Sequence, residues 1–151
     1  MDELPFIDEH RQACQAPAQA VWAALLAVLH RGLGGRVPLA RLLGCEPAEG
    51  SPDFSGRVGE ALAGFRVVAS EPGRRLVLRG RHRFAAYALT FVLEGDALSA
   101  RTDAAFPGLL GRLYRAAVIG SGGHRLMAKR LLRQVARVAT RRTIGPQGTE
   151  A

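Results

Sequence analysis

Apolar residues recur along this chain with two different periods, and the change of period lays out the elements. Between Ala16 and Leu29 the apolar positions Val21, Leu25, Val28 and Leu29, joined by Trp22 and Leu26, fall three or four residues apart, which predicts a helix. Pro17 occupies a first-turn position where its missing N–H is not needed, and Gly32 and Gly34-Gly35 mark the stop. Before this helix, Asp8 to Gln15 reads as a short strand; after it, Leu39 to Leu43 adds a second, short helical turn. Residues 44–56, rich in Gly, Pro, Glu and Ser, read as a loop that implies no second domain.

From residue 65 the period shortens to two. Strands are predicted at Phe65 to Ser70, Arg75 to Arg81, Ala85 to Glu94 and Ala97 to Ala105, with turns at Glu71-Pro72-Gly73 and Gly95-Asp96, an antiparallel meander. Alternation puts Leu76, Leu78, Gly80 and His82 on the inner face of their strand and Val77, Arg79, Arg81 and Arg83 outside. By the same rule Tyr87, Leu89, Phe91 and Leu93, then Leu98, Ala100, Thr102 and Ala104, face inward, and Arg101 and Asp103 outward. The small residues among them are expected to leave room for a ligand.

The helical period returns at Leu109 to Ile119, breaks at Gly120-Ser121-Gly122-Gly123, and resumes from His124 to Arg141. Met127, Ala128, Leu131, Leu132, Val135, Val138 and Ala139 fall on one side of this last helix, and Arg125, Lys129, Arg133, Arg137 and Arg141 recur every fourth position on another. One face is expected to pack on the sheet and the other to meet water. The expected unit is one domain over residues 1–144 with a flexible tail at 145–151.

This order of elements resembles the START-like SRPBCC superfamily, the helix-grip fold of polyketide cyclases and lipid-transfer domains. The resemblance runs from about Asp8 to Arg141 and is carried most by Ala16-Pro17-Ala18-Gln19-Ala20-Val21-Trp22 after the first strand and Gly64-Phe65-Arg66-Val67-Val68 before the meander. It implies an α+β protein in which a curved antiparallel sheet wraps around a long C-terminal helix, with two short helices after the first strand and an apolar cavity between sheet and last helix. It implies no fixed catalytic motif, since members include binders, carriers and enzymes. The Gly-Ser-Gly-Gly break departs from the continuous last helix of that pattern.

Length and composition fit this picture: 151 residues with 48% hydrophobic and 23% charged residues suit one globular domain with a real core. Apolar runs are too interrupted to span a bilayer, and the acidic start, Met1-Asp2-Glu3-Leu4-Pro5, lacks the basic and apolar regions of an export signal, so a cytoplasmic location is expected. Cys14 and Cys45 form no CxxC pair and have no His at metal spacing; buried free thiols are expected, with no metal and no cofactor.

The net charge of +8 ordinarily suggests nucleic acid, but its distribution weakens that inference. Nine bases and no acid lie between residues 112 and 142, and the other twelve bases are balanced by thirteen acids. Interleaved aromatics, which a nucleic-acid surface normally carries, are absent after Tyr114, so no specific nucleic-acid partner is expected. The stripe has three readings: a solvated face, a nucleic-acid surface, or contact with an acidic membrane or protein. Charge alone predicts weak, salt-sensitive retention on anionic liposomes or DNA.

His82 and His124 are the acid/base candidates, because an imidazole titrates near neutrality; the bland alternative is that His82 merely ends a strand and His124 opens a helix. Tyr87 and Tyr114 can hydrogen-bond a ligand carbonyl, although an amphipathic aromatic at a sheet or helix boundary is more often core. Gly120-Ser121-Gly122-Gly123 has neither the Lys-Ser/Thr of a Walker loop nor a preceding strand, which favours Ser121 as an N-cap over an anion site.

The expected function is therefore binding of a small apolar or amphipathic molecule between sheet and last helix. Its expected contacts are Trp22, Leu78, His82, Tyr87 and Leu89, then Phe91, Thr102, Tyr114, Met127 and Leu131. The alternatives are a cyclase, dehydratase or hydrolase using the same cavity with His82 or Tyr87 in the acid/base role, and an interaction module acting through the basic last helix.

Overall fold

A computed structural model describes residues 3–34 and 37–144. The expected tail at 145–151, and Gly35 of the expected helix stop, lie outside the described residues.

The chain runs β1 (Phe6–Ala13), α1 (Ala18–Gly34), α2 (Val37–Leu43), β2 (Ala61–Leu62), β3 (Phe65–Glu71), β4 (Arg75–His82), β5 (Ala85–Glu94), β6 (Ala97–Ala105), α3 (Gly108–Arg115), a π-helical turn (Ala116–Gly120) and α4 (Gly123–Ile144). The six strands form one antiparallel sheet in the order β1-β6-β5-β4-β3-β2. The meander strands fall where the period-two pattern puts them. The first strand begins two residues earlier than expected, and β2, a two-residue strand, adds a hairpin partner to β3 that the sequence pattern did not signal. Register shifts at Phe6/Asp8 and Val67/Ala69 insert an extra residue near each edge, and such bulges strengthen the twist that curves a sheet.

Alternation finds the inner face of the sheet but not every buried residue: Val77, expected outside, is buried as well. Leu76, Leu78, Phe91, Leu93, Leu98, Ala100, Thr102 and Ala104 are all buried, while Arg75, Arg81 and Arg101 are exposed. α1 lays Val21, Ala24, Leu25, Val28 and Leu29 over this face, and α4 adds Leu132, Val135 and Ala139 in the same core cluster. Trp22 and Leu131 pack at its margin. Burying each such Leu or Val from water stabilises by about 1.5–3 kcal/mol, so the fold rests on this layer.

The second half of the chain departs from expectation at two places. Met127, expected on the packing side of α4, is half exposed, because α4 turns Leu132, Val135 and Ala139 to the sheet. The Gly-rich break is a π-helical turn followed by a tight turn in which Gly122 takes φ 77°, a left-handed conformation that glycine adopts without strain. Ser121 is not the N-cap, since α4 begins at Gly123, two residues on; its Oγ accepts only a 3.3 Å bond from the Gly123 N–H.

Candidate functional site

Two polar clusters interrupt the apolar inner face, both at the end of the sheet that α3 and the start of α4 cover. The first is aromatic. His82, the last residue of β4, lies against Tyr87 of β5 (ring centroids 5.5 Å), Tyr114 of α3 (4.8 Å) and Phe84 of the connecting turn (6.0 Å). Phe84 in turn stacks on Tyr114 at 5.5 Å, and Phe65 meets Tyr87 edge-on at 5.1 Å. Rings at these separations attract one another beyond their burial, which fixes the group as a unit.

Within it the polar atoms have distinct states. The Phe84 N–H donates to His82 Nδ1 at 3.0 Å, so the neutral ring carries its proton on Nε2. Burial also lowers the His82 pKa below its ordinary value of 6.5, which favours that neutral form. Tyr87 donates its hydroxyl to the Gly64 carbonyl at 2.7 Å, and burial, followed by the nearby Cys45 thiol, pushes its pKa far up. Tyr114 is raised for the same two reasons. Both phenols therefore stay protonated at neutral pH, and Tyr87, with its hydroxyl already committed to the backbone, is a tether. Among the described residues, neither His82 Nε2 nor the Tyr114 hydroxyl has a hydrogen-bond partner.

Gly80 explains how Tyr87 fits. A Cβ at residue 80 would lie well inside van der Waals contact of the Gly64 carbonyl oxygen and 2.8 Å from the Tyr87 ring. The space expected for a ligand at this small residue is thus filled by the protein's own backbone and ring, and Ala100 and Ala104 are equally enclosed.

The second cluster crosses from the edge strand to α4. Asp8 of β1 stands opposite Thr102 of β6, and His124 in the first turn of α4 reaches both: its Nε2 is 3.0 Å from Thr102 Oγ1 and 3.3 Å from Asp8 Oδ1. His10, two residues along the same face of β1, places Nε2 3.2 Å from Asp8 Oδ2. Asp8 Oδ1 is fully enclosed yet accepts no hydrogen bond among the described residues. One carboxylate thus sits between two imidazoles beside a buried hydroxyl. His124 does more than open a helix: it ties that helix to the sheet.

The expected ligand contacts consequently divide. His82, Tyr87 and Tyr114 are half-buried in the aromatic cluster, Leu89 is half-buried against the core, and Thr102, its partner on β6, belongs to the second cluster. Leu78 and Phe91 are sealed in the core, Trp22 and Leu131 pack at its margin, and Met127 is half exposed on α4. Sequence reading passed over Asp8 and His10, because β1 (FIDEHRQA) is so polar that alternation does not reveal which face is inward. Only the register with β6 does. Cys14 is buried as expected, whereas Cys45 is only half-buried beside Tyr87; both thiols are free.

Two recesses open beside these clusters. One, about 180 Å³, lies in the seam between β1 and α4, lined by His10, Arg11, Gln12, Lys129, Leu132 and Arg133. The other, about 490 Å³, is bordered by the outer-face side chains Arg66, Val68, Arg79, Arg81 and Ala86, by Leu4, Glu46 and Pro47, and by Gly80 and by Tyr87 of the aromatic cluster. Glu46 also makes a bridge with Arg81, accepting a 2.7 Å bond from its Nε, an edge contact inside the expected loop. No group of three or more His, Cys, Asp or Glu able to hold a metal occurs among the described residues.

His82 carries a pH consequence. Because its folded-state pKa is depressed, the stability it contributes is present above the unfolded value and is lost as pH falls through the folded one. Melts from about pH 7.5 down to about pH 5 should decline less steeply in His82→Phe than in wild type. Parallel declines would contradict the burial of a neutral imidazole here.

A curved antiparallel sheet gripping a long C-terminal helix, with two helices after the first strand, is a helix-grip fold. Solved structures bear out the fold. Protein CV1439 from Chromobacterium violaceum superposes with a TM-score of 0.53 at 18% identity, covering 87% of this chain and 95% of its own. Protein BH1534 from Bacillus halodurans gives 0.52 at 15%, covering 89% and 99%. Truncated norcoclaurine synthase from Thalictrum flavum gives 0.50 at 11%, covering 97% and 100%. At these identities the likeness is one of fold. No protein-family model and no curated protein matches the chain. No helix among the described residues is long and apolar enough to cross a membrane.

Proposed function

We propose that this protein binds a small amphipathic molecule on the inner face of the sheet, at the end where His82 and Tyr114 meet, with Leu89 two residues beyond Tyr87 on the same strand face. The observation that carries this reading is the unequal filling of that face. Its middle is closed by α1 and α4 over Leu76, Leu78, Phe91 and Leu98, whereas its α3 end keeps a half-buried group of rings with two unbonded polar atoms, His82 Nε2 and the Tyr114 hydroxyl. An apolar or aromatic ligand body suits the rings, and a ligand carbonyl or ether oxygen suits a neutral N–H and a phenol as donors. Ligand sites generally combine an apolar lining with a few such convergent groups.

The second reading, acid/base chemistry on a bound molecule, draws on a specific proximity: His124 Nε2 lies 3.3 Å from Asp8 Oδ1, an imidazole beside a carboxylate. Against it, the nitrogen facing Asp8 is the one already beside Thr102, so His124 reads first as a positioning residue.

An environment-sensitive apolar fluorophore provides the test. Wild type should enhance its emission in a saturable, displaceable way. Leu89→Trp, which fills the half-buried inner position beside Tyr87, should weaken binding about tenfold or more while keeping a cooperative melt. Equal affinity in wild type and variant would place the probe elsewhere and sink the proposal. Turnover of a displacing compound, lost in His124→Gln, would promote the second reading.

A further inference from the structure

We propose that the corner formed by α3 and the first turns of α4 docks on the surface of an anionic lipid bilayer. α3 turns only Gly111 and Tyr114 inward. Leu109, Leu110 and Leu113 are 75%, 65% and 62% exposed. At the helical period these three leucines share an arc of about 100°, with Arg112 and Arg115 on the opposite flank. Close by in sequence, α4 exposes Leu126 and Met127 beside Arg125, Lys129 and Arg130. α2 adds exposed Leu42 beside the same β4–β5 turn: the Leu43 carbonyl accepts the Arg83 N–H at 3.2 Å, and Phe84 of that turn stacks on Tyr114.

A solvated helix explains neither half of this surface. Large leucines this exposed on one short helix are a patch that seeks an apolar phase. The nine bases between residues 112 and 142 form no ion pair among the described residues, so their charge is uncompensated; the one ring partner is Phe106, 5.9 Å from the Arg115 guanidinium. Apolar side chains flanked by uncompensated cations match a bilayer interface, in which leucines enter the acyl boundary and guanidiniums meet lipid phosphates. A nucleic acid would use the cations and leave the leucines without a role. The leucines thus change what the charge stripe predicts by itself, from weak generic retention to anchored binding. The inference is independent of what occupies the inner-face site.

Co-sedimentation with vesicles tests it, using phosphatidylcholine alone and phosphatidylcholine containing phosphatidylglycerol, with duplex DNA in parallel and the oligomeric state followed by sedimentation velocity. Wild type should partition onto the phosphatidylglycerol vesicles and remain free of phosphatidylcholine ones. The double variant Leu109→Ser with Leu113→Ser should lose about tenfold or more of that partitioning with an unchanged melt. Changing Arg125, Lys129 and Arg133 to Gln should lose about as much, and added salt should reproduce that loss. Three results would overturn the proposal: no partitioning of wild type, partitioning that the leucine variant retains in full, or leucines engaged instead in self-association. Tighter binding to DNA than to the anionic vesicles would assign the surface to nucleic acid.

Discussion

Leu132→Asp should abolish the cooperative thermal transition. Leu132 is 1% exposed and lies with Val135 and Ala139 in the core cluster that joins α4 to α1 and the sheet, so a carboxylate there is buried without a cation or hydrogen-bond partner. Such burial costs several kcal/mol, in a fold whose total stability is typically about 5–15 kcal/mol. If residues 1–144 form one folding unit, as we infer from this shared core, the loss is global. Circular dichroism melts measure it, with Arg133→Gln, on the exposed face one residue on, as a neutral control. A sharp melt in Leu132→Asp at the wild-type temperature would show that α4 is not part of the core.

Gly80→Ala should have the next largest effect, although it adds one methyl group. The new Cβ would meet the Gly64 carbonyl and the Tyr87 ring at once, and the carbonyl is backbone that yields only if the β2–β3 hairpin moves. A loss of about 3 kcal/mol is expected, at the upper end of overpacking costs because the clash is not with a flexible side chain. Urea midpoints should show it, and the Tyr87 hydrogen bond to Gly64 should weaken with it. A wild-type midpoint would mean that Gly64 does not lie over β4.

Both predictions concern residues whose role differs in legibility. The burial of Leu132 follows from helical spacing, and the inner faces of β4, β5 and β6 follow from alternation over eight to ten residues, although Val77, Ala88 and Ala97 of the opposite phase are buried too. These are repeated signals, which is why the sequence predicts them. The constraint on Gly80 is not periodic. It depends on where Gly64, sixteen residues earlier, is carried by the β2–β3 hairpin, and nothing local to Gly80 encodes that. The same holds at Asp8, His124 and Thr102: three residues far apart in the chain become neighbours through one strand register and the phase of one helix. The exposure of the α3 leucines is not legible in the sequence for a related reason. An amphipathic period says that one arc of a helix is apolar, but only tertiary packing decides whether that arc turns inward, and here Gly111 and Tyr114 take the inner position.

The site at the α3 end of the sheet was half legible. His82, Tyr87, Leu89 and Tyr114 stand out by residue type and alternation; His82, Tyr87 and Tyr114 do come together, while Leu89 packs against the apolar core. What sequence could not supply is their chemistry: Tyr87 is spent on the Gly64 carbonyl, and His82 is held neutral with its donor on Nε2. Under the binding proposal, these states suit holding a polar atom of a ligand.

The measurement that bears most directly on the binding proposal is where the fluorophore, or any compound that displaces it, sits. Amide and aromatic resonances followed by NMR during titration should move together at His82, Leu89, Thr102 and Tyr114, saturating at the affinity that fluorescence gives. Shifts confined to the outer-face recess around Arg66 and Arg81, or to the exposed leucines of α3, with the inner-face resonances still, would contradict it.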